Sequence, residues 1–212
     1  MTKIDVVSGF LGAGKTTLIK LLCGLIQPTL GTITVAGPPV GPESKAGVSY
    51  LPDRMYFADW MRCRDLIDLF ADFYADFDRE KALAMCQSLG VNPADRVKTM
   101  SKGTKEKVQL VLVMARKAQV YLLDEPIAGV DPAARDFILN TILTNYNESG
   151  TVLISTHLIW DIERVLDEVI FLKEGRVMLH NSVDNIRETE GKSVDALFRE
   201  VFRSAPLEGG EF

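Results

Sequence analysis

Residues 9–16 read Gly-Phe-Leu-Gly-Ala-Gly-Lys-Thr, and this stretch decides the fold of the 212-residue chain. It matches the phosphate-loop pattern G-x-x-x-x-G-K-[ST]. The β-branched run Ile4–Val7 precedes it, and the apolar-periodic segment Thr16–Leu25 follows it. The sequence therefore predicts a strand, a glycine-rich turn and a helix, the setting in which this pattern binds the phosphates of a nucleotide.

The predicted phosphate contacts come from the loop backbone and from a few side chains. Glycines let backbone N–H groups turn toward phosphate oxygens, and the helix N-terminus adds partial positive charge. We expect Lys15 to reach the β- and γ-phosphates, the Thr16 hydroxyl to ligate Mg²⁺, and Thr17 to lie near the α-phosphate. The predicted nucleotide contacts in this loop are Gly9, Gly12, Ala13, Gly14, Lys15, Thr16 and Thr17.

An acidic pair, Asp124 and Glu125, follows the apolar run Val120–Leu123. Residues that follow a buried parallel strand lie at the carboxyl edge of the sheet, where ligands bind in open α/β folds. Asp124 suits a Mg²⁺ ligand, and Glu125 suits a general base that deprotonates water. Acidic residues are also common at helix N-termini, which is the alternative interpretation. The phosphate loop upstream favours the catalytic one.

Strand and helix patterns alternate along most of the chain, which predicts an α/β fold. The expected fold class is a P-loop NTPase with a mainly parallel sheet covered by helices. Five further strands are predicted, the last as the return arm of a hairpin; they are Gly31–Gly37, Val48–Leu51, Thr151–Ser155, Val169–Leu172 and Arg176–Leu179.

A helical block interrupts this alternation between Tyr56 and Val97. Leu66, Phe70, Phe73 and Phe77 recur there at helix spacing, either as the core face of the block or as a partner-docking stripe. The core interpretation is favoured for most of these rings. We therefore predict a nucleotide-binding core at residues 1–55 and 98–180, an inserted helical subdomain at 56–97 and a C-terminal helical tail at 181–212. In the tail, an amphipathic helix is predicted over 193–203 and disorder over 204–212.

Composition narrows the possible partners and locations. The formal net charge of −5 gives no electrostatic reason to expect nucleic acid as a partner. No apolar run approaches the length needed to span a bilayer, and no signal peptide is recognised. A cytoplasmic protein is expected, with any membrane association through a partner. The three cysteines show no metal or redox spacing and are predicted to be buried or idle thiols.

The order of the motifs resembles that of the nucleotide-binding subunits of ABC transporters. Ser101 and Gly103 lie in a stretch similar to a diverged form of the Leu-Ser-Gly-Gly-Gln signature, and His157 ends a strand where that family has its switch histidine. The amino-acid sequences of residues 101–107 and of the C-terminal helix most resemble those of ATPases of ABC-2-type exporters. The matching stretches are Met100–Lys105, Asp124–Pro126, Ala128–Pro132, Leu153–His157 and Lys173–Val177.

The resemblance implies roles beyond those derived from the residues. ATP and Mg²⁺ are the implied ligands, with Lys15, Glu125 and His157 as the catalytic set. Ser101 and Gly103 would bind the γ-phosphate of ATP held by an opposite subunit, in a homodimer or heterodimer of ATPase subunits. The implied further partner is an integral-membrane permease, which would place the protein at the inner face of the cell membrane.

Three features depart from the family pattern. Asp53 stands where the family has a glutamine, and because Asp can ligate Mg²⁺ it joins Thr16 and Asp124 in the predicted metal set. Lys102 replaces a signature glycine. Only eight residues precede Gly9, so an N-terminal antiparallel β-subdomain is expected to be incomplete. The opening residues 4–17 resemble CobW-type metallochaperone GTPases, which suggests a truncated or chimeric N-terminus.

The sequence thus leaves a leading hypothesis and two alternatives. The leading hypothesis is an ATP-hydrolysing subunit that couples ATP-driven dimerisation to transport by a separate permease. The first alternative is a truncated or chimeric nucleotide-binding module with little ATPase activity. The second is a CobW-like GTPase metallochaperone, which should carry a Cys-rich metal motif and an Asn-Lys-x-Asp motif; neither occurs in the sequence.

Overall fold

A computed structural model describes residues 3–10 and 12–203 of the chain. Within these residues the strands form one six-stranded sheet in the order β2-β3-β4-β1-β5-β6. Strands β1 to β5 run parallel, and β6 pairs antiparallel with β5. The strands are β1 Lys3–Ser8, β2 Val48–Leu51, β3 Val120–Asp124, β4 Thr151–Thr156, β5 Glu168–Lys173 and β6 Arg176–Ser182.

Helices cover the sheet, which confirms the predicted α/β fold class. Short 3₁₀ turns occur at Val97–Thr99 and Glu163–Val165. The helices of the described residues are α1 Lys15–Leu22, α2 Pro42–Ala46, α3 Cys63–Phe73, α4 Arg79–Ser88, α5 Lys102–Met114, α6 Pro132–Asn145, α7 Ile159–Ile162, α8 Val183–Glu190 and α9 Val194–Arg203. Among these described helices, none is long and apolar enough to cross a bilayer.

The central strands are apolar over most of their inner residues because helices bury them on both faces. Val6 and Val7 are adjacent in β1, so their side chains point to opposite faces of the sheet, and both are fully buried. Leu122 and Leu123 of β3 are buried in the same way, against two different clusters of the core. This packing explains why the continuous apolar runs in the sequence predicted β-strands of a parallel sheet correctly.

Three local predictions differ from the structure. The predicted strand Gly31–Gly37 is wrong: this segment forms a tight hairpin whose ladder is a single bridge between Thr34 and Pro39. Pro38 and Pro39 lack the N–H donors that a longer ladder needs. The sequence of residues 159–166 also predicts one helix, but the segment divides into α7 and a 3₁₀ turn. Helix α8 was not predicted; it is short and mostly polar, and the Ser182 side chain caps it.

The helical block of residues 56–97 contains α3 and α4, preceded by an irregular segment. Leu66 and Phe70 are buried, as predicted for a core face, whereas Phe73 at the end of α3 is 75% exposed. The stripe therefore divides into a packed part and an exposed part. The amphipathic helix predicted over residues 193–203 is confirmed as α9. The predicted disorder of residues 204–212 lies outside the described residues.

Arg116, just beyond α5, joins this helical block to the sheet. Its buried guanidinium pairs with Asp76, with Nε 2.9 Å from Oδ1, and donates to the Val48 carbonyl of β2 at 2.5 Å and to the Ala46 carbonyl. The Tyr74 ring centroid lies 3.8 Å from its Cζ atom. A buried guanidinium with hydrogen-bond partners on both sides holds the block against the start of β2.

All three cysteines are buried, as the sequence predicted. Burial, followed by the nearby Asp124 carboxylate, raises the pKa of Cys23 to about 12. The Sγ atoms of Cys63 and Cys86 lie 3.8 Å apart between α3 and α4, and this contact raises the pKa of the Cys63 thiol. In the described part of the chain, no group of three or more His, Cys, Asp or Glu residues could hold a metal ion.

Candidate active site

The candidate site lies at the carboxyl edge of the sheet, where β1, β3 and β4 end side by side. Ser8 pairs with Thr156 across β1 and β4, and Asp124 pairs with Ser155 across β3 and β4. The Ser8 hydroxyl donates to the Thr156 carbonyl at 2.8 Å, which holds the end of β1 beside β4. This register brings the phosphate loop, the acidic pair and His157 to one edge although they are up to about 150 residues apart.

The phosphate loop turns sharply between β1 and α1. Gly12 and Gly14 have φ values of 83° and 100°, a conformation that glycine adopts without steric cost. The Ala13 amide donates to the Phe10 carbonyl at 3.1 Å, and the Leu18 amide donates to the Gly14 carbonyl at 2.9 Å, where α1 begins. The glycine spacing of the motif therefore corresponds to a real turn followed by a helix.

The β5–β6 hairpin packs against one side of the phosphate loop. A Cβ atom at Gly9 would lie 2.3 Å from the Leu172 carbonyl oxygen, so only glycine fits at that position. The Gly175 amide donates to the Ala13 carbonyl at 3.0 Å. The hairpin thus fixes the loop backbone from one side and leaves the other side free for a ligand.

A cavity of about 270 Å³ opens on that side. All of the predicted loop contacts except Gly9 line it, and so do Asp53 and Glu125. Asp53 is exposed, and its carboxylate lies 3.8 Å from Nε of Arg54. Lys15 is buried; its Nζ donates to the Gly9 carbonyl at 2.6 Å and lies 3.5 Å from Oε1 of Glu125. The loop therefore surrounds a space with a fixed positive charge at its base.

Asp124 sits beneath this cavity with 1% of its surface exposed. Its Oδ1 accepts hydrogen bonds from the Ser155 hydroxyl at 2.5 Å and from the Thr16 hydroxyl at 3.2 Å. Its buried Oδ2 has no hydrogen-bond partner within residues 3–10 and 12–203. A buried carboxylate oxygen without a donor, beside a threonine hydroxyl, fits a hard divalent cation such as Mg²⁺ or the water bound to it.

Ser155 is a site residue that the sequence did not single out. Besides donating to Asp124, it accepts a hydrogen bond from the Glu125 amide, through its carbonyl at 3.0 Å and through Oγ at 3.1 Å. Its position in the run Ser-Thr-His, two residues before His157, was the available signal. The residue fixes both members of the acidic pair.

Glu125 has a left-handed backbone with φ of 51°, which is uncommon for a residue with a side chain. Its Oε2 lies 3.0 Å from Nδ1 of His157, and its Oε1 faces the Lys15 ammonium. Such backbone strain persists where surrounding hydrogen bonds hold it, and it is concentrated at functional sites. The structure therefore brings Lys15, Glu125 and His157 together.

Ser101 and Gly103 lie apart from this group at the N-terminus of α5. The Ser101 hydroxyl caps the helix by accepting a hydrogen bond from the Thr104 amide at 3.1 Å. Both residues are exposed, and neither is among the described residues that line the cavity over the phosphate loop. Asp131 caps α6 in the same manner, accepting from the Ala134 amide at 3.0 Å. Ser101 and Asp131 are exposed, whereas Gly103 also lines a second cavity together with Asp124 and Glu125.

Comparisons with known proteins agree with the motif order. Residues 3–128 match the family described as ABC transporter. An uncharacterized ABC transporter ATP-binding protein of Synechocystis is 30% identical over 183 residues, covering 82% of this chain and 52% of that protein. One from Bacillus subtilis is 30% identical over 195 residues, covering 88% and 64%. The chain thus spans between half and two thirds of the length of these relatives.

A solved structure is similar over most of both chains. The structure of an ATP binding subunit of an ABC transporter has a TM-score of 0.83 and 28% identity, covering 94% of this chain and 88% of that chain. A putative ABC transporter ATP-binding protein from Pyrococcus furiosus has a TM-score of 0.64 and 26% identity, covering 73% and 78%. Both likenesses cover more than two thirds of this chain.

Proposed function

Because the chain belongs to the ABC transporter family, we propose that it binds ATP with Mg²⁺ and hydrolyses it to drive a separate membrane permease. One observation carries the proposal. The Glu125 carboxylate lies between the Lys15 ammonium, at 3.5 Å, and His157 Nδ1, at 3.0 Å, beside a cavity lined by the phosphate loop. A base, a cation and an orienting imidazole are the groups that phosphoryl transfer to water requires.

In the proposed mechanism the protein supplies position and charge. The loop amides and Lys15 hold the β- and γ-phosphates. The Glu125 carboxylate accepts a proton from the attacking water, and its strained backbone aims the side chain at the cavity. His157 Nδ1 lies 3.0 Å from the second oxygen of that carboxylate, and its proposed role is to orient Glu125 and to contact the γ-phosphate. Ser155 holds Asp124 and Glu125 in position by a hydrogen bond to each.

Thr16 and Asp124 are the proposed metal residues, because the Thr16 hydroxyl lies beside a carboxylate whose Oδ2 has no hydrogen-bond partner in the part of the chain that the structure describes. Bound Mg²⁺ would neutralise the phosphate charge that develops during transfer. Asp53 remains in the proposed set because its side chain lines the same cavity. Its exposure gives it a weaker hold on an ion than the buried Asp124 has.

We further propose a head-to-tail dimer, as a homodimer or with a related ATPase subunit. Ser101 and Gly103 are exposed at a helix N-terminus whose free amides suit a phosphate, and neither is among the described residues that line the cavity over the phosphate loop. A second subunit would bring its own copies of them to the phosphate loop. Light scattering should show a doubled mass only with ATP, in a variant that hydrolyses slowly.

The helical block of residues 56–97 is the proposed permease contact, with residues 1–55 and 98–180 as the nucleotide-binding core. Tyr56, Leu69 and Phe73 are exposed and line one groove of about 330 Å³; we name these three residues the insert patch. Trp60, 70% exposed, lies in the same segment. An exposed aromatic patch of this kind is typical of a docking surface. The proposed location is the inner face of the cell membrane, reached through the permease.

The test of the proposed function is phosphate release from ATP and from GTP, with Mg²⁺ or with a chelator. We expect ATP hydrolysis that requires Mg²⁺ and is abolished in Lys15→Ala, which removes the cation at the base of the cavity. Lys20→Ala, on the same helix, is the matched control and should keep the wild-type rate. Binding of ATP without measurable hydrolysis would favour the low-activity module, and a preference for GTP would favour a GTPase.

A further inference from the structure

The phosphate loop touches the C-terminal helix α9 through an aromatic cluster. The Phe10 ring lies 5.5 Å from the Phe198 ring and 5.1 Å from the Phe202 ring, between centroids. Beneath them Phe171 of β5 lies 5.3 Å from Phe198 and 6.1 Å from Phe202. We name Phe10, Phe171, Phe198 and Phe202 the aromatic cluster. Such tilted and edge-to-face pairs are attractive beyond the burial of their surface.

Phe10 is the member that connects the cluster to the nucleotide site. It lines the cavity over the phosphate loop, and 58% of its surface is exposed. Of the loop residues that the structure describes, Phe10 alone carries a large apolar side chain. The rest of the loop is held by its backbone against the β5–β6 hairpin, by the small Ala13 side chain beside Leu172, and by the polar contacts of Lys15 and Thr16. Phe10 therefore gives this glycine-rich turn an aromatic anchor on α9.

A second attachment fixes α9 independently at its other end. The Glu163 carboxylate, directly after α7, accepts hydrogen bonds from the Val194 amide at 3.0 Å and from the Asp195 amide at 3.3 Å. This carboxylate caps the first turn of α9 and complements its dipole. The first turn of α9 is therefore fixed at the end of α7, while the rings of its C-terminal half contact the phosphate loop. Because α9 is held at both ends, it can restrain the residues that it contacts.

We infer that α9 holds the phosphate loop in its binding shape through Phe10, so that Phe198 and Phe202 are positioning residues for nucleotide. This inference rests on the proposed function. A turn rich in glycine loses much conformational freedom when it orders around a phosphate. Anchoring Phe10 before the ligand arrives removes part of that cost and tightens binding. The alternative is that Phe198 and Phe202 merely cover Phe171.

The test is MgATP affinity, measured by titration calorimetry on the full chain. The variants are Phe10→Leu, Phe198→Leu and the double variant, with Val201→Ala as a control on α9 outside the cluster. We expect Phe198→Leu to raise the Kd about two- to tenfold, the range of one aromatic pair. In the Phe10→Leu background the same substitution should leave the Kd unchanged, because the link to the loop is already broken.

Thermal unfolding of the same variants separates positioning from simple packing. Phe198→Leu and Val201→Ala should both lower the Tm, whereas only Phe198→Leu should change the Kd. Equal Kd values for wild type and Phe198→Leu, or additive effects in the double variant, would overturn the inference alone. A wild type that binds no MgATP would overturn the proposed function together with it. Should Phe198→Leu fail to fold, the half-exposed Phe10→Leu keeps the test, since an unchanged Kd there also overturns the inference.

Discussion

The carboxyl edge of the sheet and the helical block of residues 56–97 differ in the polarity and the exposure of their notable side chains. At the sheet edge the side chains of the candidate site are polar, and the most buried of them, Asp124, is held by Ser155 of the neighbouring strand. At the helical block the notable side chains are apolar and exposed, as Phe73 and Trp60 are. One region holds its polar groups in place within the chain, whereas the other presents exposed apolar surface of the kind that a partner protein covers.

Arg116 connects the helical block to the start of β2, at the amino edge of the sheet, and its removal is expected to have the largest effect on stability. Arg116→Met should lower the free energy of unfolding by about 3 kcal/mol, since Asp76 and two backbone carbonyls lose their buried donor. Urea unfolding checks it. Arg164→Met, which removes the exposed pair with Asp136, is the matched control and should cost less than about 1 kcal/mol. A similar loss of unfolding free energy in both variants would contradict the structural role of Arg116.

The next largest expected effect is on ATP turnover, when the proposed metal residues at the sheet edge are substituted. Asp124→Asn should lower Mg²⁺-dependent ATP turnover on the order of 100-fold, because the unpartnered Oδ2 loses its charge. Asp53→Asn is the comparison, because Asp53 lines the same cavity but is exposed. We expect a reduction of less than about tenfold there. Mg²⁺ titrations of the hydrolysis rate distinguish the two, and equal effects would place both carboxylates on the ion.

The smallest expected effect is on stability at the insert patch. Phe73→Ser should change the free energy of unfolding by less than about 0.5 kcal/mol, because the ring is mostly solvated. Phe70→Ser, one turn earlier and buried, should cost about 3 kcal/mol or more. Denaturant unfolding compares the pair. Hydrolysis by isolated Phe73→Ser should match wild type, and a large stability loss in it would show that the patch belongs to the core.

The sequence predicted which residues meet at the carboxyl edge of the sheet, because they lie in short, contiguous motifs. The phosphate loop, Asp124-Glu125 and His157 each end a strand, and parallel strands end at one edge. What could not be predicted depends on contacts between distant segments. Ser155 is an ordinary hydroxyl until β3 and β4 pair, and the contact of Phe10 with α9 joins residues almost 190 positions apart.

The wrong predictions have similarly local causes. Residues 31–37 contain β-branched residues between glycines, yet Pro38 and Pro39 deny the segment a ladder of more than one bridge. Helix α8 was missed because it buries only Val183 and Ile186 in eight residues, too few to produce a clear period. Phe73 follows the helical spacing of Leu66 and Phe70, but α3 ends there, so its ring extends past the packed surface.

The most direct test of the proposed catalysis is phosphate release from MgATP by Glu125→Gln beside wild type, with ATP binding measured on the same samples. Gln keeps the size of the side chain and removes the base that lies between Lys15 and His157. We expect ATP binding to persist while turnover falls by about 10²- to 10⁴-fold. Unchanged turnover in Glu125→Gln, with wild type active, would contradict the assignment of Glu125 as the general base.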